Sequence, residues 1–159
     1  MTWEQITEIL YIPEIFISTL LGTAIGLERE IRGKDPSLRT FAFVCLGSCV
    51  FGLVSKFSVV GVPSGDPSRI AAQIVTGIGF LGVGTIFRSP RGVTGLTTAA
   101  LMWVTAAIGV AVSFDRIDLA VITTLYAIAI SFALNILHDF ILLVRRIGGA
   151  TPAGSTRKK

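Results

Sequence analysis

Five apolar segments alternate with short polar stretches along the chain. They run over residues of about 9–27, 40–62, 70–87, 93–114 and 119–144. A helix rises ~1.5 Å per residue, so ~20 apolar residues cover the ~30 Å hydrocarbon core of a bilayer. The pattern therefore predicts five transmembrane helices. The first segment is the least regular, since Pro13 and Glu14 interrupt it.

Composition agrees with a membrane-embedded chain. Of the 159 residues, 52% are hydrophobic and 15% charged, and the mean hydropathy is +0.75. A soluble domain has about 25% charged residues. We therefore expect an all-α, polytopic bundle with the lipid bilayer as its surroundings. The net charge of +4 does not indicate nucleic-acid binding, because the basic residues flank apolar runs and form no polar face.

The distribution of lysine and arginine predicts the orientation. Stretches 28–39, 88–93 and 145–159 would share one side of the membrane, and they hold eleven of the 14 basic residues. The positive-inside rule makes this side cytoplasmic. The N-terminus would lie outside and the C-terminus inside. We expect residues 1–144 to form the transmembrane domain and residues 145–159 a basic, disordered cytoplasmic tail.

Glycines in two segments predict close helix packing, because a missing side chain lets another helix approach in lipid. The first segment contains a G-x-x-x-G motif. The third is glycine-rich and also fits G-x-G-x-x-G, but its glycines lie in mid-segment and no acidic residue follows for the ribose, which excludes a dinucleotide site. The predicted packing glycines are Gly22, Gly26, Gly77, Gly79, Gly82 and Gly84.

Asp66 and Arg69 precede the third segment, and two interpretations remain open. In one, Asp66 caps the helix, where the dipole and a free N–H group favour a carboxylate. In the other, Asp66 and Arg69 form a polar site at the membrane face together with Gln73 and Thr76, which lie deeper on the same helix.

Just after the C-terminal end of the first segment, Glu28 and Arg32 are four residues apart. They can form an ion pair if the helix continues through them. The simpler interpretation is a solvated helix end. The sequence contains no P-loop, no G-x-S-x-G motif and a single histidine, His138. Cys45 and Cys49 share one helix face and are expected to be buried thiols. We therefore expect no enzyme, no cofactor and no metal site.

The chain resembles the transmembrane domain of the MgtC/SapB family. The resemblance lies in residues 22–30 (GTAIGLERE), 38–47 (LRTFAFVCLG), 66–84 (DPSRIAAQIVTGIGFLGVG) and 92–109 (GVTGLTTAALMWVTAAIG). It implies a multi-pass protein of the bacterial inner membrane. MgtC-like members support growth in low magnesium and survival in macrophages, and are thought to restrain the rotary ATP synthase.

The resemblance also implies site residues. Asp66 matches a motif position linked to function, and other motif positions match Glu28, Arg29, Arg39 and Arg69. Many members carry a soluble C-terminal domain after the last span. We expect any role that depends on such a domain to lie outside these 159 residues.

Three functional hypotheses follow. The first is a regulatory protein of magnesium limitation, stress or virulence, acting through contacts in the bilayer. It would form a homo-oligomer or bind a membrane protein, which by resemblance is the rotary ATP synthase. The alternative is a small oligomeric transporter or channel for an ion or solute. The third is a partner subunit without activity of its own.

Overall fold

The computed structural model describes residues 12–62, 64–90 and 92–147. Within them the chain forms five helices and one antiparallel pair of short strands. In order these are α1 (Ile12–Ile31), α2 (Leu38–Phe57), α3 (Ser68–Val83), β1 (Phe87–Ser89), β2 (Gly92–Thr94), α4 (Leu96–Ser113) and α5 (Ile117–Ile147). A first compact unit extends to Ala127, and a second begins at Ile128, within α5.

The helices follow the predicted segments in number and order, so the all-α class is confirmed. Three helical stretches are long and apolar enough to cross a membrane, as judged by length and composition: Leu38–Phe57, Leu96–Ser113 and Ile117–Leu137. The apolar helix α3 has 16 residues and is shorter than this criterion. Its length of about 24 Å falls short of a ~30 Å core.

Several predicted boundaries are wrong by a few residues. Helix α1 continues past residue 27 to Ile31, and α2 ends at Phe57, five residues early, where a turn leads to Gly61 at φ +81°. Helix α3 ends at Val83 and not at residue 87, because Phe87 already belongs to β1. The predicted segment start at residues 9–11 and most of the predicted tail, 148–159, lie outside the described residues.

The basic stretch between α3 and α4 is part of a β-hairpin. Phe87 pairs with Thr94 and Ser89 with Gly92. Strand structure was not predicted here, because three-residue strands leave no detectable alternation in the sequence. Both strands are exposed. The hairpin delays the start of α4 to Leu96, three residues after the predicted start.

Helix α2 is the centre of the first unit, and it packs between α1 and α4. Its buried positions recur every three or four residues and form one helical stripe: Phe41, Cys45, Ser48, Cys49, Gly52 and Leu53. Most of these side chains are small. Both cysteines are fully buried free thiols, as predicted.

Small residues bring the three helix backbones into direct contact. A Cβ atom at Gly22 of α1 would lie 2.5 Å from the Cβ atom of Cys45. From the opposite direction, a Cβ atom at Gly109 of α4 would overlap the carbonyl oxygen of Cys45 and lie 3.0 Å from the amide nitrogen of Cys49. Because backbone atoms cannot move aside as a flexible side chain can, only glycine allows this approach.

The start of α3 is held by a side chain from α2. The first four N–H groups of a helix have no partner within it. The buried hydroxyl of Ser55 accepts hydrogen bonds from the amides of Ile70 (3.2 Å) and Ala71 (3.3 Å), and it donates to the carbonyl of Pro67 (2.5 Å). One serine of α2 therefore fixes the position at which α3 begins.

We expect Gly109→Ala to destabilise the fold by about 1–3 kcal/mol, because the added methyl group forces α4 away from α2. Gly47→Ala is the matched control, since a Cβ atom at Gly47 meets nothing within 4 Å. Unfolding of the purified proteins in detergent measures the difference. Equal stability of the two variants would contradict the close packing of α2 and α4.

We expect Ser55→Ala to cost about 1–2 kcal/mol and to loosen the first turn of α3, because two amides lose their acceptor. Hydrogen exchange of residues 68–71 should then accelerate. The control is Ser58→Ala, since the Ser58 hydroxyl is exposed and donates to the carbonyl of Ser55 without contacting α3. Unchanged exchange in Ser55→Ala would show that the Ser55 hydroxyl does not hold the amides of Ile70 and Ala71.

Candidate functional site

The candidate residues from sequence lie in two groups at opposite ends of α2. Asp66, Arg69 and Gln73 are near its C-terminus, where Ser55 holds the start of α3. Glu28, Arg29 and Arg39 are near its N-terminus. A helix of 20 residues spans about 30 Å, so the two groups cannot form one site. We call them the Asp66 end and the Arg29 end.

At the Asp66 end, the carboxylate faces the first turn of α3. Its Oδ1 atom accepts hydrogen bonds from the amide (2.9 Å) and the hydroxyl (2.7 Å) of Ser68. Arg69 is exposed, and the ion pairs found among the described residues do not include Asp66 with Arg69. Asp66 thus caps α3 through Oδ1. The other carboxylate oxygen takes no part in these two hydrogen bonds.

A second polar contact at this end was not foreseen from sequence. Lys56 of α2 forms an ion pair with Asp115, which lies in the turn between α4 and α5 at φ 60°. The partner is 59 residues away, so no local pattern could identify it.

Gln73 lies one helical turn below Arg69 and lines a groove between α2 and α3. The groove has a volume of about 680 Å³. Its walls include Phe43 and Gly47 from α2 and Gly77 from α3. Its volume is in the range of small-molecule binding pockets, and its lining is mostly apolar.

The Arg29 end is more buried than the sequence indicated. Glu28 and Arg29 are 5% and 6% exposed, so the simpler interpretation, a solvated helix end, is wrong. The expected pair of Glu28 with Arg32 is confirmed, with 2.6 Å between Oε1 and Nε. The reason for the burial is that α1 continues for one turn beyond its apolar segment and packs against the loop that leads into α2.

Thr98 connects this end to α4. The Nη2 atom of Arg29 donates to the Thr98 hydroxyl at 2.8 Å, and that hydroxyl donates to the carbonyl of Asp35 at 3.1 Å. No local sequence pattern could identify Arg29 as the partner of Thr98, because the two are 69 residues apart. Glu30 accepts from the Leu38 amide at 3.1 Å and caps α2, whereas Arg39 is exposed.

The six predicted packing glycines lie in three different surroundings. Gly22 and Gly26 pack on α2 and its first residue, and Gly82 touches Ala99 at ordinary distance. Gly84 follows the end of α3 at Val83, and a Cβ atom there would lie near carbonyl oxygens of the preceding turn, so its packing against another helix stays a prediction. A Cβ atom at Gly77 or Gly79 would meet nothing within 4 Å, so their packing stays a prediction about a second molecule.

Among the described residues, no three histidine, cysteine, aspartate or glutamate side chains lie together where they could hold a metal ion. Several carboxylates accept backbone amides or form ion pairs: Glu28, Glu30, Asp66, Asp115 and Asp118. A magnesium ion would require several oxygen ligands in octahedral geometry. Such a set is not assembled within the described part of a single chain.

Comparison with known proteins gives close relatives. The chain is 43% identical over 116 residues to the putative magnesium transporter YhiD of Escherichia coli K12, covering 70% of this chain and 54% of the relative. It is 43% identical over 118 residues to the protein MgtC of Brucella abortus strain 2308, covering 73% and 48%.

A third relative, the protein MgtC of Salmonella typhimurium strain 14028s, is 41% identical over 125 residues, covering 79% of this chain and 52% of the relative. The chain thus spans about half the length of these relatives. Their names describe no catalytic activity. No solved structure matches the chain significantly.

The family model of the MgtC family matches residues 15–140, which include α2, α3, α4, most of α1 and α5, and both ends described above. The apolar helices are consistent with the membrane protein that the sequence predicted. This chain belongs to the MgtC family.

Proposed function

We propose that this protein is a non-enzymatic regulator in the bacterial inner membrane, acting in magnesium limitation or related stress through contacts within the bilayer. The observation that carries the proposal is the unoccupied face of α3. A Cβ atom at Gly77 or Gly79 would meet no atom of the described residues within 4 Å, and Phe80 beside them is 82% exposed. Glycine weakens an isolated helix, so two open glycines serve a helix that approaches from another molecule.

The topology belongs to the same proposal. Five helices in the predicted order support five membrane crossings, with α3 covering its shorter length through local thinning of the bilayer. The N-terminus lies outside and the C-terminus in the cytoplasm. Residues 1–144 form the transmembrane domain, and residues 145–159 form the basic tail. In this orientation the Asp66 end faces outward and the Arg29 end faces the cytoplasm.

Asp66 acts in this proposal as a charged group at the outer surface. Hydrogen bonds from the Ser68 hydroxyl and amide lower the pKa of the Asp66 carboxyl below its ordinary value of 3.8. It is therefore ionised at neutral pH. Because Asp66 is exposed, its second carboxylate oxygen is accessible to a cation or to a donor on a partner.

The partner is a second copy of this chain or another membrane protein. By family resemblance, the rotary ATP synthase is the candidate for the second case. The groove that contains Gln73 and Gly77 continues the open face of α3. A regulator of this kind needs no solute path and no catalytic group.

We expect Asp66→Asn to abolish the rescue of low-magnesium growth in a bacterial strain that lacks its MgtC-family gene. The amide keeps an oxygen to cap α3 but has no charge. Asp118→Asn is the control, because Asp118 is also exposed and hydrogen-bonded, to Arg116 at 3.1 Å. Full rescue by Asp66→Asn at normal protein levels would contradict the role given to Asp66.

A second candidate function is supported by the name of the Escherichia coli relative, a putative magnesium transporter. This chain would then form an oligomer, with the path between copies along the Gln73 groove. We expect no magnesium flux into liposomes containing the purified protein if it is a regulator. Flux that Gln73→Leu reduces, and Gln5→Leu near the N-terminus does not, would favour the transporter.

A further inference from the structure

The N-terminus of α4 differs from the other helix starts among the described residues. Helices α1 and α5 have Glu14 and Asp118 in their first turns. At the starts of α2 and α3, the carboxylates of Glu30 and Asp66 accept hydrogen bonds from backbone amides. An acid is favourable there because the N-terminal end of a helix carries partial positive charge.

Helix α4 has neither an acid nor a side-chain cap at its start. Its first turn contains no acidic residue, and its N-cap is Gly95 at φ +89°. The side chain that reaches this first turn is the cation Arg29, through Thr98. A guanidinium beside the positive end of a helix is electrostatically unfavourable unless an anion lies with them.

Arg29 itself has unused bonding capacity. A guanidinium has five N–H donors, and at 6% exposure they cannot all be satisfied by water. Nη2 bonds to Thr98, but the buried Nε atom has no hydrogen-bond partner among the described residues. A buried donor without an acceptor is unfavourable, because it has lost its hydrogen bonds to water.

Glu28 lies within electrostatic reach of Arg29 and forms an ion pair with Arg32, so one carboxylate faces two guanidinium groups. Glu30 is used on the Leu38 amide. Arg32 is 18% exposed at its side chain, which gives the cluster an opening to the surface of the protein.

We propose that the Arg29 end binds a phosphate group, held by Arg29 and Arg32 at the start of α4. A tetrahedral anion with several acceptor oxygens matches forked guanidinium donors and the free amides of a helix start. The phosphate belongs either to an anionic phospholipid or to a free phosphate ion. The proposal does not depend on the function proposed above or on which side of the membrane this end faces.

The test uses the full chain in dodecyl maltoside, a detergent without phosphate. Inorganic phosphate is titrated at constant ionic strength against chloride, and the thermal unfolding midpoint is followed. We expect phosphate to raise the midpoint of the wild type. Arg29→Gln should weaken phosphate binding about tenfold or more, because charge-assisted hydrogen bonds are lost.

Arg88→Gln is the matched control, since Arg88 is exposed on the hairpin and should retain wild-type binding. Arg29→Lys covers the case in which Arg29→Gln does not fold. It keeps the charge but lacks the fork, and should also bind phosphate more weakly. Wild-type binding by either folded Arg29 variant would overturn the proposal.

A lipid arm identifies the source of the phosphate. The same proteins are placed in phosphate-free nanodiscs of phosphatidylcholine, with or without phosphatidylglycerol. Stabilisation by phosphatidylglycerol that depends on Arg29 supports a lipid headgroup, and stabilisation by inorganic phosphate supports the free ion. If phosphate behaves as chloride does and phosphatidylglycerol has no effect, the site does not exist.

Discussion

The backbone contact of α2 with α1 and α4 is the constraint on which the rest of the structure depends. In a bilayer, burying apolar side chains between helices gains little over lipid, so helices are held by close packing and by hydrogen bonds. Cys45 lies at the centre of this contact, with Gly22 on one side and Gly109 on the other. The three helices can approach this closely only because each contributes a small residue at the crossing.

The polar residues act at the two ends of this packed centre. Ser55 fixes the start of α3 and thereby places Asp66 at the surface, while Thr98 joins α4 to Arg29. Each of these hydroxyls bonds to groups on two other segments. Because such bonds are not exchanged for water in a buried setting, they determine the register of the helices along their axes. The surfaces available for function are then those outside this packed centre, the open face of α3 and the Arg29 end.

Those surfaces have different chemistry. The open face of α3 is apolar and glycine-rich, which suits contact with another helix in lipid. The Arg29 end is charged and buried, which suits a small anion. About 30 Å of α2 separates the Asp66 end from the Arg29 end. Coupling between the two ends would have to pass through the packing of α1, α2 and α4. The closest contacts there leave no space for one helix to move independently of the others.

The sequence alone determined the helical class, the order of the five helices, the burial of both cysteines and the pairing of Glu28 with Arg32. These follow from local spacing and from the absence of charge over long runs. The tertiary structure decided which glycines pack inside the chain, that Ser55 caps α3, and that Arg29 is buried on Thr98. Such contacts join residues far apart in sequence, here 69 positions for Arg29 and Thr98, and depend on which helix faces meet. The tertiary structure also decided where α2 and α3 end. Apolar residues continue in the sequence past the turn that ends α2 and the hairpin that follows α3.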